Sequence, residues 1–360
     1  MRDFGETPEP AGGLGPEPPV SAEARFVVQE HHATALHWDL RLEHDGVLAS
    51  WALPKGVPPD PRVNHLAVHT EDHPMQYLTF HGDIPSGNYG AGTMTVWDTG
   101  TYETEKWGDR EIIVVLHGKR VEGRHVLFHT RGKQWMIHRM DPPADPGREV
   151  WPGWDAFVPM VAVVGDALPS DLATRAAEFA WGGQRVLLSV SGGRVQVRGA
   201  GLGDEELIGR FRELRLLGEA LGVTEVVLDG EVIVPGADGR PSASLLVDRL
   251  GARSDSTARR LADRHPAVVM IADLLWLDGH PMTDLGYTAR RERLSSLSLG
   301  GPAWQVPASY PGPDGPALLV AAGQQGLAGV VAKRLASGYQ GASPSEDWIF
   351  VAAPDASSGP

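Results

Sequence analysis

Cysteine is missing from all 360 residues. That excludes disulfides, thiolate zinc sites and thiol nucleophiles, fits a reducing cytoplasm, and leaves only nitrogen and oxygen donors for any metal. Lysine is nearly missing from the second part of the chain, where Lys333 is the single lysine beyond residue 150. Long apolar runs are missing as well. The longest, "AVVMIADLLWL", is short and broken by Asp273, and the N-terminal "MRDFGETPEPAGGLGPEPPV" has no apolar signal core, so neither a membrane anchor nor a leader is expected. The last absence is a surplus of positive charge. With 32 Lys and Arg against 46 Asp and Glu the net charge is -14, which excludes a generally basic, nucleic-acid-coating surface but not a local phosphate site.

What is present divides the chain. Its length suits two domains, each able to bury a core, and twelve of the fourteen histidines precede residue 150, so the two parts carry different chemistry. Residues 1–22, rich in Pro, Gly and Glu, read as a flexible tail. Between 23 and 140 short alternating runs such as "RFVVQ", "HWDLRLE", "VLASWAL" and "EIIVVLHG" are separated by Gly, Asp and Pro turns, which predicts an all-β, barrel-like domain. Residues 141–156 break every period and read as a linker. From 157 to 353 helical spacing in "LPSDLATRAAEFA" and "DEELIGRFRELRLLGEAL" is interleaved with strands such as "RVLLSV" and "EVVLDGEVIV", predicting an α+β domain before a short tail at 354–360.

One stretch of the first domain gathers chemistry. In "LHWDLRLE" Leu36, Trp38, Leu40 and Leu42 alternate with His37, Asp39, Arg41 and Glu43, so one strand face is core and the other polar. His37 and Asp39 then project side by side, about 7 Å apart along the strand. With His31 they can form a three-ligand shell open to substrate, and Arg41 extends the row with a guanidinium suited to phosphate. Asp45-Gly46 is a hairpin signal leading into "VLASWAL". Further on, His65, His69, His73, Tyr77 and His81 recur every four residues, but Pro74 and the β-like "LAVHT" argue against a helical metal box. The Gly-rich "GDIPSGNYGAG" lacks the Lys-Ser/Thr of a phosphate loop and reads as a turn.

The runs "RFVVQEHHATALHWDLRLEHDGVLASWALPKG", "LAVHTEDHPMQY", "IPSGNYGAGTMTVWDTG" and "RGKQWMIHRM" together resemble the 3′-phosphoesterase domain of bacterial DNA ligase D. The resemblance implies a manganese ion, or another divalent metal, held by His31, His37 and Asp39. It implies phosphate contacts from Arg41, His73 and Tyr77, with the histidine serving transition-state or leaving-group chemistry. The implied activity is trimming of a 3′-ribonucleotide and then a 3′-phosphate from DNA ends or primer-templates during non-homologous end joining. The implied setting is the bacterial cytoplasm, alongside a separate ligase and an end-binding protein. His65 stands where the family has a phosphate-binding arginine, and imidazole is fully charged only below its pKa. The monoesterase step is therefore expected to suffer more than the diesterase step.

The second domain, through "EFAWGGQRVLLSVSGGRVQVRGAG", "VVLDGEVIV", "IADLLWLDGHPMTDL" and "LAGVVAKRLASGYQG", resembles the adenylation domain of an ATP-dependent DNA ligase. Arg185, Arg198, Glu231, Asp273 and Lys333 match family positions. The motif Glu-x-Lys-x-Asp-Gly-x-Arg, however, has Ala180 for its lysine nucleophile and Gly182 for its aspartate; Ala328 replaces the acid before "GVVAKR", and Phe350 and Ala352 replace two lysines. A pseudoligase that does not use ATP is the expectation. An active ligase and a non-catalytic end-joining scaffold are the alternatives.

Overall fold

The structure, a computed structural model, describes residues 23–354 except 34, 85–91, 144 and 204. The 1–22 tail, most of the 354–360 tail and the centre of the Gly-rich turn lie outside the described residues. Two compact units meet at Val150 and Trp151.

The first unit is all-β: β1 (Ala24–His32), β2 (Leu36–His44), β3 (Val47–Leu53), β4 (Asn64–His69), β5 (Gly82–Ile84), β6 (Gly92–Gly108), β7 (Glu111–His117), β8 (Glu122–Arg131) and β9 (Gln134–Arg139). They pair in the order β1-β2-β3-β4-β9-β8-β7-β6-β5, and a further β1–β6 pairing closes eight of them into a barrel. Closure leaves those strands no free edge. Trp38, Leu40 and Leu42 point inward, where Phe26, Val28, Trp51 and Ile137 meet them. The Asp45-Gly46 hairpin is built as its sequence requires, with both residues at positive φ. The outer face of β1 and β2 is also covered: Val27 and Leu48 pack with Met75, Tyr77, Leu78 and Phe80 from the segment after β4. Polar residues on that outer face are consequently buried.

The second unit holds two sheets. Its strands are β10 (Val161–Val164), β11 (Arg175–Ala180), β12 (Gln184–Ser191), β13 (Arg194–Gly199), β14 (Val226–Ile233), β15 (Val268–Leu277), β16 (His280–Pro281), β17 (Trp304–Gln305), β18 (Tyr310–Pro311), β19 (Gly329–Arg334) and β20 (Pro344–Ala352). One sheet runs β10-β20-β19-β11-β18, the other β13-β12-β14-β15-β16 with β17 on β15. An aromatic layer containing Met160, Leu187, Trp276, Tyr339 and Trp348 lies between them, and Trp151 stacks into it on Phe157. Among the described residues, five short α-helices flank the sheets.

Two expected helices differ. Arg175–Ala180 is a central strand, not a helix; nearly every residue in it is buried, so its apolar spacing carried no periodic information. The stretch 205–221 is helical only toward its end, over Leu216–Leu221 after a short 3-10 turn at Arg212–Arg215.

Candidate active site

Strand alternation places Gln29 and His31 on the outer face of β1 and His37, Asp39 and Arg41 on the outer face of β2, where the register pairs His31 with His37 and Gln29 with Asp39. His31, His37 and Asp39 each offer one donor atom, all within 4.8 Å of one another. His31 Nδ1 lies 3.5 Å from Asp39 Oδ2, His37 Nε2 lies 3.7 Å from Asp39 Oδ1, and the two imidazole centres are 4.7 Å apart. Two imidazoles and a carboxylate form a nitrogen and oxygen set that fits a divalent transition metal.

Arg41 is 2% exposed and locked in place. Its Nη2 donates to Asp39 Oδ2 at 3.0 Å, its Nε to Gln29 Oε1 at 2.7 Å and its Nη1 to Ser50 Oγ at 3.0 Å. Three of the five guanidinium N–H groups are thus engaged inside the site. Gln29, fully buried, also donates to the carbonyls of Tyr77 and Phe80 at 2.9 and 2.8 Å, tying the covering segment to the barrel. The Tyr77 ring lies 5.2 Å below the Arg41 guanidinium and 5.0 Å from the His73 ring, and the His73 backbone pairs with Leu48. Burial alone would raise the Asp39 carboxyl, but Arg41 first and then the two histidines outweigh it and hold it at about 2. Burial first, then Arg41, pushes the His73 imidazole down to about 4, so it stands neutral at pH 7.

Six of the expected residues, His31, His37, Asp39, Arg41, His73 and Tyr77, therefore come together. His65 does not join them. On β4 it shares a face with Ala67 and sits across from Ile137, both in the barrel interior, and its Nδ1 lies 2.9 Å from the Gly56 carbonyl oxygen. Gln29 and Ser50 are additions the sequence reading passed over. Gln29 had a signal, its parity with His31 in "RFVVQEHH".

In the second unit, Lys333 is buried with its Nζ 2.7 Å from Glu178 Oε2 and 4.1 Å above the Trp348 ring. Arg185 pairs with Asp229 and lies over the other side of the same neighbourhood, 5.7 Å from Trp348. Burial would lower the Arg185 guanidinium, but Asp229 raises it above its ordinary value. Tyr339 Oη donates to Asp229 Oδ2 at 2.5 Å, and Arg290 grips Asp273 through Nε and Nη2 at 2.8 and 3.0 Å. Glu231 accepts the Gly183 N–H at 3.0 Å, and Arg198, across from Leu187, lies 4.9 Å over Trp154, which packs on the same aromatic layer. The departures cluster. The Ala328 N–H donates to the Ala180 carbonyl at 3.0 Å, and a Cβ at Gly182, whose φ is +74°, would meet Ala328 Cβ at 3.3 Å.

A family model described as DNA Ligase D 3'-phosphoesterase domain matches residues 29–129, and one described as ATP dependent DNA ligase domain matches residues 159–351. The chain is 40% identical over 360 residues to the multifunctional non-homologous end joining protein LigD of Mycolicibacterium smegmatis, across 97% of this chain and 44% of that protein. To its namesake from Pseudomonas aeruginosa it is 31% identical over 400 residues, across 97% and 46%. It thus spans a little under half the length of these relatives. The solved ligase domain of M. tuberculosis LigD is 30% identical, with 55% of this chain and 61% of that chain covered and a TM-score of 0.46.

Proposed function

This chain belongs to the DNA ligase D family, with a 3′-phosphoesterase domain ahead of an ATP-dependent ligase domain, and from that premise we propose that its first unit is a divalent-metal-dependent enzyme that heals DNA 3′ ends. The observation that carries the reading is the His31, His37 and Asp39 group beside Arg41. These three residues would hold manganese or a similar ion, which when bound neutralises phosphate charge and orients the ester. Asp39, ionised throughout the physiological range, supplies the anionic donor. Arg41, braced by Gln29 and Ser50, keeps two N–H groups for phosphate oxygens. His73, neutral before substrate arrives, can accept a proton or donate its N–H at the reacting oxygen, and bound phosphate charge would raise its affinity for a proton. DNA 3′ ends and primer-templates are the proposed substrates, with a separate ligase and an end-binding protein completing repair.

The second unit we read as a ligase scaffold that does not adenylate itself, because Ala180 offers no nucleophile. The test is release of the terminal nucleoside from a primer-template carrying one 3′-ribonucleotide, with and without manganese. Asp39→Ala should lower that rate more than about a thousandfold, since the anionic ligand is gone; the first unit should still melt cooperatively, but at a lower temperature, because the buried Arg41 loses its carboxylate. Wild-type turnover in that variant would move the site elsewhere. Label from radioactive ATP retained on the protein would overturn the pseudoligase reading.

A further inference from the structure

At the far end of β2, seven residues and about 23 Å from His37, the barrel opens into a cavity of about 490 Å³ that the chemistry above does not use. Its mouth is formed by the β2–β3, β6–β7 and β8–β9 turns together with the residues following β4. One wall is His44 stacked on Trp107, ring centres 3.7 Å apart and 15° from parallel. The other is Trp51 against Trp135 at 5.9 Å, with His69 5.2 Å from Trp51. Burial holds the His69 imidazole below its usual range, so it adds aromatic surface without charge at neutral pH. Asp45, Asp72 and Asp109 line the mouth from three different loops, and neither Lys nor Arg is among the described residues lining it.

The half-buried Trp107 indole, set over the buried Trp51 and Trp135 and ringed by carboxylates, suits an organic cation, because the negative face of the ring and the carboxylate charge attract it together. A nucleobase could stack here, but its own phosphates would then lie against the three aspartates. Carboxylates on separate loops are also too widely spread for one small cation, whereas a chain carrying several charges meets them all. We infer that this mouth binds an arginine side chain of a partner polypeptide, the planar guanidinium lying against the half-buried Trp107 and His44 ring pair with neighbouring cations on Asp72 and Asp109.

The test uses the full chain and a fluorescein-labelled Gly-Arg-Gly-Arg-Gly peptide, followed by anisotropy at ~150 mM salt, where long-range attraction to an acidic protein is screened. The arginine peptide should bind and its citrulline counterpart should not. Trp107→Ala, which changes no charge, should weaken binding about tenfold, and Asp72→Asn with Asp109→Asn should do likewise. The inference is overturned by absent binding, by equal binding in Trp107→Ala or of the citrulline peptide, or by an oligothymidylate that binds and displaces the arginine peptide. Should Trp107→Ala lose its cooperative melt, Asp109→Asn, at an exposed turn, decides the matter.

Discussion

The two polar groups, one in each unit, are both buried and both rich in charge, yet they are wired oppositely. On the barrel, three donor atoms converge within 4.8 Å, and the neighbouring arginine shares one of them, the Asp39 carboxylate, while Gln29 and Ser50, neutral groups, take two more of its N–H groups. In the second unit the charges answer one another: Lys333 with Glu178, Arg185 with Asp229, Arg290 with Asp273. The first arrangement brings together donors that fit the cation proposed above. The second is complete in itself. On the proposed reading, in which Ala180, Gly182 and Ala328 stand in place of reacting groups, the remaining cations of the second unit act as structure, which predicts that substitutions will cost mainly activity in one unit and mainly stability in the other.

The largest effect that sharpens this contrast lies at Lys333. Lys333→Ala leaves Glu178 buried with Tyr287 and Arg291 but without its closest cation, and breaking a buried pair from one side costs about 3–5 kcal/mol. Thermal unfolding should show the second unit melting earlier, with nucleoside release by the first unit unchanged. A variant that melts like the wild type would mean that Lys333 is held for a ligand and not for the fold.

Acid should separate the units from the other side. His73 and His125 are held at about 4, in both cases chiefly by burial, so the fold favours their neutral forms. Because those values lie below the unfolded value of about 6.5, the stabilisation is fully present above pH ~6.5 and is lost as pH falls toward ~4, up to about 3 kcal/mol for each group. Asp39, held at about 2, begins to matter only below that window. The second unit contains just two histidines. Calorimetry between pH 7 and 4, values set by the same pKa range, should show the first unit's transition falling faster; parallel falls would remove the histidines from the explanation.

How legible was the site? The strand "LHWDLRLE" carried most of it, because a period of two sorts Trp38 and Leu40 from His37, Asp39 and Arg41 without knowledge of the rest. The hairpin at Asp45-Gly46 was equally local. What escaped depends on distant chain. Gln29 looked like an ordinary strand polar residue until the segment at Tyr77 and Phe80 was laid over it, and Arg175–Ala180 reads as a helix until two strands flank it. Gln29→Ala tests the part that was missed. Loss of the brace on Arg41 should lower kcat about 10- to 100-fold, as supporting groups around metal sites commonly do. Metal binding, followed by manganese titration, should stay near wild type, whereas a merely structural role would lower both together with the melting temperature.

The smallest effect is expected at His65. Resemblance alone assigns this position to the phosphate, and an arginine restored there would favour the dianionic monoester over the diester. Strand geometry argues otherwise. His65 shares the barrel-interior face of β4 with Ala67 and stands across from Ile137, whereas Arg41 and Asp39 are on the outer face of β2. Its ring is occupied by the Gly56 carbonyl, and burial pushes its pKa down, so it carries no charge toward a phosphate at neutral pH. His65→Arg should therefore leave the ratio of diesterase to monoesterase rates within about twofold, because a one-face displacement cannot be bridged without slipping the strand register. What it should change is stability, by about 1–3 kcal/mol, since the longer cation loses the Gly56 bond and must find water from within the barrel wall. A shift of about tenfold toward the monoester, the size of one charged hydrogen bond, with an unchanged melting temperature would place His65 on the phosphate after all.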